Sequence, residues 1–236
     1  MCWNEYVSIN TFVCGIFILL LIAFNNKYSQ YKIADFENPY LYFFIGSVIS
    51  MQFIEFVLWR NLNNKSINKT MSILGSLLLV IQPIASLTLL KNINLRNTMI
   101  LIYSILSCIF FFYTITHKHM YTLLSKKGHL KWDWIQNVNL NSIPNWIPQK
   151  ILVHLFYLFF LSFSFFVNRR YFSIISSSII FCLFYYYYYT DGSAGSLWCL
   201  SINAIMLYYL IQILVYLPLR EKLTNINLPA CHSFMT

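Results

Sequence analysis

The chain has 236 residues, 58% of them apolar and only 10% charged, against about a quarter charged in an average soluble domain. A water-soluble globule is excluded, and so are collagen-like, disordered and disulfide-scaffold classes, because Gly and Pro number six each and six Cys are spread over the whole length. The net charge of +9 comes from cations in short stretches between apolar runs, where they would anchor helix ends at lipid headgroups; no basic stripe or nucleic-acid motif is present, so the expected partner is the lipid bilayer and not nucleic acid.

Runs of at least about 18 apolar residues predict seven helices, near 8–25, 40–59, 71–90, 98–116, 150–168, 171–190 and 196–217. The fold class is therefore all-α, a polytopic membrane protein with a single seven-helix domain over 1–236. The runs are too long and too uniformly apolar for the alternating strands of an outer-membrane barrel. No basic stretch precedes the first span and no convincing cleavage site follows it, so it reads as a retained helix. Breakers separate the spans: Asn25, Asn26 and Lys27; residues 61–68; residues 91–97; the long 118–149 segment with Pro144 and Pro148; Arg169 and Arg170; and Asp191-Gly192-Ser193.

The second span carries Glu55, the only acidic residue inside a predicted span. A carboxylate in hydrocarbon costs about 3 kcal/mol at the centre of a bilayer, so Glu55 should face protein or water. Gln52 and Trp59 lie three residues before and four after it, on one helix face. The alternative is a structural pairing of Glu55 with Arg60, Lys150 or a Tyr hydroxyl. In the third span Pro83 should kink the helix, and Gln82 is placed to bond across to Gln52 as packing glue.

The segment between the fourth and fifth spans holds Trp132, Trp134, Trp146, Ile135 and Ile147, too apolar for a solvated tether. From Met120 to Gln149 it is expected to form an ordered cap over the pocket mouth, the alternative being amphipathic contact with the membrane surface. His154 in the fifth span and Cys199 in the seventh lie at about the depth of Glu55. Trp198, Cys199 and Asn203 follow the small-residue turn from Gly192 to Ser196, with Cys199 and Asn203 on one face. No phosphate-loop pattern accompanies that turn, and close helix packing explains its small residues equally well.

An odd number of spans puts the termini on opposite sides. All six Trp then fall on or near the N-terminal side, with His117, His119, His129 and His154, which marks that side as the elaborated one. Eight Lys and Arg lie on each side, so the charge count is a tie; Glu5 before the first helix against Lys27 and Lys32 after it favours the N-terminus outside. The triplets Asn64-Lys65-Ser66 and Asn68-Lys69-Thr70 would then be exposed glycosylation acceptors. His117 and His119 diverge on a helix and no further ligand pattern exists, so neither a metal nor another cofactor is expected. Cys14, Cys108 and Cys182 read as packed thiols, while Cys2 and Cys199 would meet, as a disulfide or a free pair, if the first and last helices are neighbours.

A retinal protein is excluded by the lack of Lys in 196–217, and a ceramidase-type hydrolase by the lack of an HxxxH pair. With Met1-Cys2-Trp3, the Gln52…Glu55…Trp59 face and Ser196-Leu197-Trp198-Cys199, the chain resembles an uncharacterised family of small polytopic proteins from bacteria and large DNA viruses. That resemblance covers the whole chain and implies no activity. The residues themselves point to handling of a small ligand, cation or proton in a pocket floored by Gln52 and Gln82 and walled by Glu55, His154, Trp198 and Cys199, with Asn203 beside it. The alternatives are a membrane-embedded enzyme with Cys199 or Cys2 as nucleophile and His154 as base, or a structural or assembly protein.

Overall fold

The computed structural model describes residues 4–117, 120–132, 149–170 and 201–225, with isolated helical positions between 175 and 187. The helices are α1 (Glu5–Tyr28), α2 (Pro39–Arg60), α3 (Lys65–Leu87), α4 (Ile93–His117), α5 (Gln149–Val167), α6 (Ser201–Ile211) and α7 (Leu217–Asn225). A π-helical stretch, Gln212–Tyr216, joins α6 to α7 just before Pro218. Among the described residues, five helical stretches are long and apolar enough to cross a membrane: Glu5–Tyr28, Pro39–Arg60, Lys65–Leu87, Ile93–Thr116 and Asn203–Glu221. In α5 the apolar part, Leu152–Val167, is shorter. The expected sixth span and the start of the seventh lie outside the described residues, apart from those isolated positions.

Helix starts are set by asparagines. The side-chain oxygens of Asn4, Asn38, Asn64 and Asn92 accept from the backbone N–H of Val7, Tyr40, Ile67 and Leu95, at 2.9, 3.0, 3.2 and 3.1 Å. Each satisfies one of the amides that a helix start leaves free. The cap at Asn64 is why α3 begins at Lys65, six residues before the expected start of the third span. The polar stretch 61–68 reads as a break by hydropathy, yet its second half is helical.

Small and polar side chains face inward. On α1 the buried residues are Ser8, Thr11, Gly15, Ile18, Ile22 and Asn25, one helical stripe, whereas Phe17, Leu20 and Phe24 are more than 60% exposed. On α3, Asn68, Ser72, Gly75, Ser76, Gln82 and Ser86 are buried while Leu74 and Leu77 face outward. Water-soluble bundles have the opposite arrangement; close packing of helices through small residues, with hydrogen bonds between them, is the arrangement of helices in lipid. Cys14, Cys108 and Cys182 belong to the outer faces and are exposed, not packed inside as expected.

Contacts between helices fix their directions. Glu5 meets Arg60 and Phe12 meets Phe53, so α1 and α2 are antiparallel. Gln82 meets Tyr157 and Ser86 meets Ser164, so α3 and α5 are parallel. Thr11 meets Asn203 and Gln30 meets Glu221, so α1 is parallel to the last helix, its neighbour, as the expectation for Cys2 and Cys199 requires. Those two cysteines lie outside the described residues.

Both ends of the bundle are organised among the described residues. At the end away from the N-terminus, Asn26 brackets Ile33, donating to its carbonyl and accepting from its N–H, and Asn25 donates to the Tyr31 carbonyl. The loop after α1 thus folds back on the helix instead of merely breaking it. A 3₁₀ turn, Ala34–Glu37, buries Phe36 against Tyr42 and Tyr209 and holds Asp35 against Arg170 at 2.8 Å and the Tyr209 hydroxyl at 3.2 Å.

At the N-terminal end, residues 120–132 form a β-hairpin from β1 (Thr122–Leu124) and β2 (Leu130–Trp132), with Thr122 opposite Trp132 and Leu123 opposite Lys131. Lys126-Lys127-Gly128 makes the turn, and Gly128 adopts the positive φ of 77° that such a three-residue loop demands. Two short strands are marginal alone, and α3 supplies the anchor. Asn68 Oδ1 accepts from Thr122 N–H and Asn68 Nδ2 donates to the Thr122 carbonyl, both at 2.9 Å, while the Ser72 and Thr122 hydroxyls meet at 2.8 Å. Met120, Leu130 and Trp132 are buried beneath it. The expected cap is therefore ordered over its first half; residues 133–148 lie outside the described residues. The same bonds correct the reading of Asn68 as a glycan acceptor, since its amide is buried and committed to Thr122 and the Leu62 carbonyl.

Replacing Asn68 by Ala should strand the two buried Thr122 backbone groups and cost on the order of 2 kcal/mol. In detergent, Asn68→Ala protein should melt earlier and be cut faster at Lys126 and Lys127 than wild type; equal cleavage rates would show that the hairpin is held by other contacts.

Candidate functional site

Glu55 lies five residues from the α2 terminus at Arg60, about 7 Å along the axis. It is completely buried, and Gln52, one turn deeper on the same face, is 1% exposed. Arg60 is not the partner of Glu55: its guanidinium bonds Glu5 at 3.1 Å at the surface and lies over the Phe56 ring. Around Glu55 on α2, Met51, Ile54, Leu58 and Trp59 pack with Met120, Leu130 and Trp132 of the hairpin in one apolar cluster. The hairpin thus roofs residues of α2 that flank Glu55 in sequence.

Trp132 is the wedge of that roof. Its indole lies where α3 has Gly75: a Cβ there would come within 2.2 Å of Trp132 Cη2 and 3.3 Å of Ile54 Cγ2. Only glycine lets the indole reach between α2 and α3 at the level of Glu55's neighbour Ile54.

His154 stands at the depth the sequence implied. Phe44 of α2 and Phe165 of α5 are in ring contact at 5.6 Å, and eleven residues along each helix from that contact, toward the N-terminal end, are Glu55 and His154. His154 is half-buried. Gln82 is deeper, level with Ser47, some 12 Å from Glu55 along α2. It does not bond Gln52 as expected: its carbonyl accepts from the Tyr157 hydroxyl and its amide reaches the Ser47 carbonyl at 3.4 Å. Gln82 therefore ties three helices together, because the antiparallel register of α2 and α3 presents Ser47 to it. Asn203 donates to the Thr11 hydroxyl at 2.9 Å and serves the contact of α6 with α1. Trp198, Cys199 and the Gly192–Ser196 turn lie outside the described residues.

Among the described residues no group of three His, Cys, Asp or Glu is placed to hold a metal. The site is chemically a carboxyl and an amide on one buried face, an imidazole at the same depth on another helix, and an apolar roof. Sequence reasoning missed the Asn68–Ser72–Thr122 anchor and the Gly75 seat. The available signal was the alternation Leu130, Lys131, Trp132 after a Lys-Lys-Gly turn. Comparison with protein-family models, with curated proteins and with solved structures yields no match.

Gly75→Ala should force the Trp132 indole out of its seat and cost about 1–3 kcal/mol, the range for overpacking. Adding Trp132→Leu to Gly75→Ala should recover part of that loss in a thermal-melting double-mutant cycle, whereas additive losses would mean the two residues are not in contact.

Proposed function

We propose that the chain is a multi-pass membrane protein of seven spans, N-terminus outside, in which Glu55 binds or relays a cation or proton on the N-terminal side. The observation that carries this reading is the complete burial of Glu55 in an apolar helix long enough to cross a membrane. Ionisable groups in such positions are costly, and they recur in ion pathways and proton relays. Gln52 on the same face and His154 at the same depth are groups through which a proton or small cation would pass.

Seven spans are supported by direction. Both α5 and α6 run parallel to the odd-numbered helices α3 and α1, so α5 ends and α6 begins at opposite ends of the bundle, which supports a sixth span near 171–190. The orientation rests on Glu5 preceding α1 while Lys27 and Lys32 follow it; Asn68 no longer contributes. The same burial is compatible with a second reading, a static buried group in a structural or assembly protein.

Liposomes carrying the full chain and a trapped pH dye separate the two. Wild type should dissipate an imposed proton or cation gradient, and Glu55→Gln, folded by its melting curve and elution volume, should lose most of that flux. Equal flux from both proteins would contradict the proposal and leave the structural reading.

A further inference from the structure

We infer that the seam between α3 and α5 carries protons, and not metal cations, between the level of Glu55 and the end of the bundle away from the N-terminus. The inference rests on the relay reading of Glu55 and gives it a substrate and a route. On α5, His154, Tyr157, Leu161, Ser164 and Asn168 follow one another at steps of three or four residues, which places them on one face. Asn168 keeps to that stripe just past the helix end, because its N–H bonds the Ser164 carbonyl at 3.0 Å. This face meets α3. The Tyr157 hydroxyl donates to the Gln82 carbonyl, Ser86 Oγ lies 2.6 Å from the Leu161 carbonyl and 2.8 Å from Ser164 Oγ, and the Asn168 amide donates to the Leu89 carbonyl at 3.2 Å. Gln82, Ser86 and Leu89 repeat the same spacing, so two parallel helices are tied at three successive levels.

Register alone requires fewer ties. One polar residue on a helix seam is enough to fix it, whereas Gln82, Ser86 and Ser164 are all buried here. The stripe begins at His154, level with Glu55, whose imidazole can both accept and donate. It ends near water: two residues past Asn168, Arg170 holds Asp35 at 2.8 Å, and that carboxylate is 42% exposed. The chemistry of the groups between selects the proton. A hydroxyl accepts a proton on a lone pair while releasing its own to the next group, so one proton moves on and the hydroxyl is left as it was. Tyr157, Ser86 and Ser164 supply such hydroxyls, Gln82 positions that of Tyr157, and bridging waters would complete the steps between levels. A metal cation needs about six oxygen ligands at once, but these ties join two or three groups at each level. Among the described residues no three His, Cys, Asp or Glu gather to replace them.

Liposomes holding the full chain and a trapped pH dye, with the voltage clamped by potassium and valinomycin, test it. Wild type should pass protons in a Glu55-dependent way and take up labelled sodium no faster than empty liposomes. Tyr157→Phe and Ser86→Ala/Ser164→Ala proteins should each pass protons more slowly, on the order of tenfold, which corresponds to about 1.4 kcal/mol of barrier. Thr11→Val removes an interhelical bond of the same kind between α1 and α6. It should keep the wild-type proton rate even where its melting temperature falls as far as that of the seam variants. Equal slowing by Thr11→Val would show that the seam acts through packing alone and would overturn the inference. Glu55-dependent proton flux that survives the seam variants, or Glu55-dependent uptake of sodium, would also overturn it while leaving the reading of Glu55 standing. No Glu55-dependent flux of either ion would overturn that reading, and the inference with it.

Discussion

A polar side chain on a helix surrounded by hydrocarbon can bond only other protein groups, and this constraint accounts for where the polar residues of the chain sit. Ser86 bonds Ser164 and the Leu161 carbonyl, Gln82 joins Tyr157 and Ser47, and Asn203 joins Thr11. Each tie crosses between helices. Because apolar residues cover the outer surface as well as parts of the interior, burial of apolar area discriminates weakly among packings in lipid. Small residues that permit close approach, and hydrogen bonds that work in one register only, do the discriminating.

The same constraint bears hardest on Glu55. Its side chain has no exposed surface, and Met51 and Leu58 on either side of it in α2 belong to one apolar cluster with the hairpin's Leu130 and Trp132. That cluster depends on a chain of contacts beginning well away from it: Asn64 caps α3, the cap sets Asn68 on the inner face, Asn68 grips Thr122, and the grip lets Trp132 enter the gap over Gly75.

Hydropathy made the long helices legible, since apolar runs of that length have few other solutions. Helix ends were less so: α1 and α4 extend past the apolar runs because Asn4 and Asn92 cap polar first turns. The hairpin was legible only as an apolar, tryptophan-bearing segment that ought to be ordered, because its anchor is a helix residue 54 positions away in sequence. In the candidate site, the burial of Glu55 and Gln52 followed from the cost of exposing them to lipid. The partners of Gln82 and Asn203 did not follow, since they depend on which helices are neighbours and in what register. Equal depth on a helix is readable from a sequence; adjacency is not.

The central claim is that the buried carboxyl of Glu55 communicates with water. Infrared difference spectra of wild type minus Glu55→Gln protein in lipid, recorded across a range of bulk pH and in D₂O, isolate that one carboxyl in either protonation state. The account predicts a Glu55 signal that responds to bulk pH and shifts on transfer to D₂O while the helices stay folded. A signal that ignores both would contradict it and identify Glu55 as a fixed element of the core.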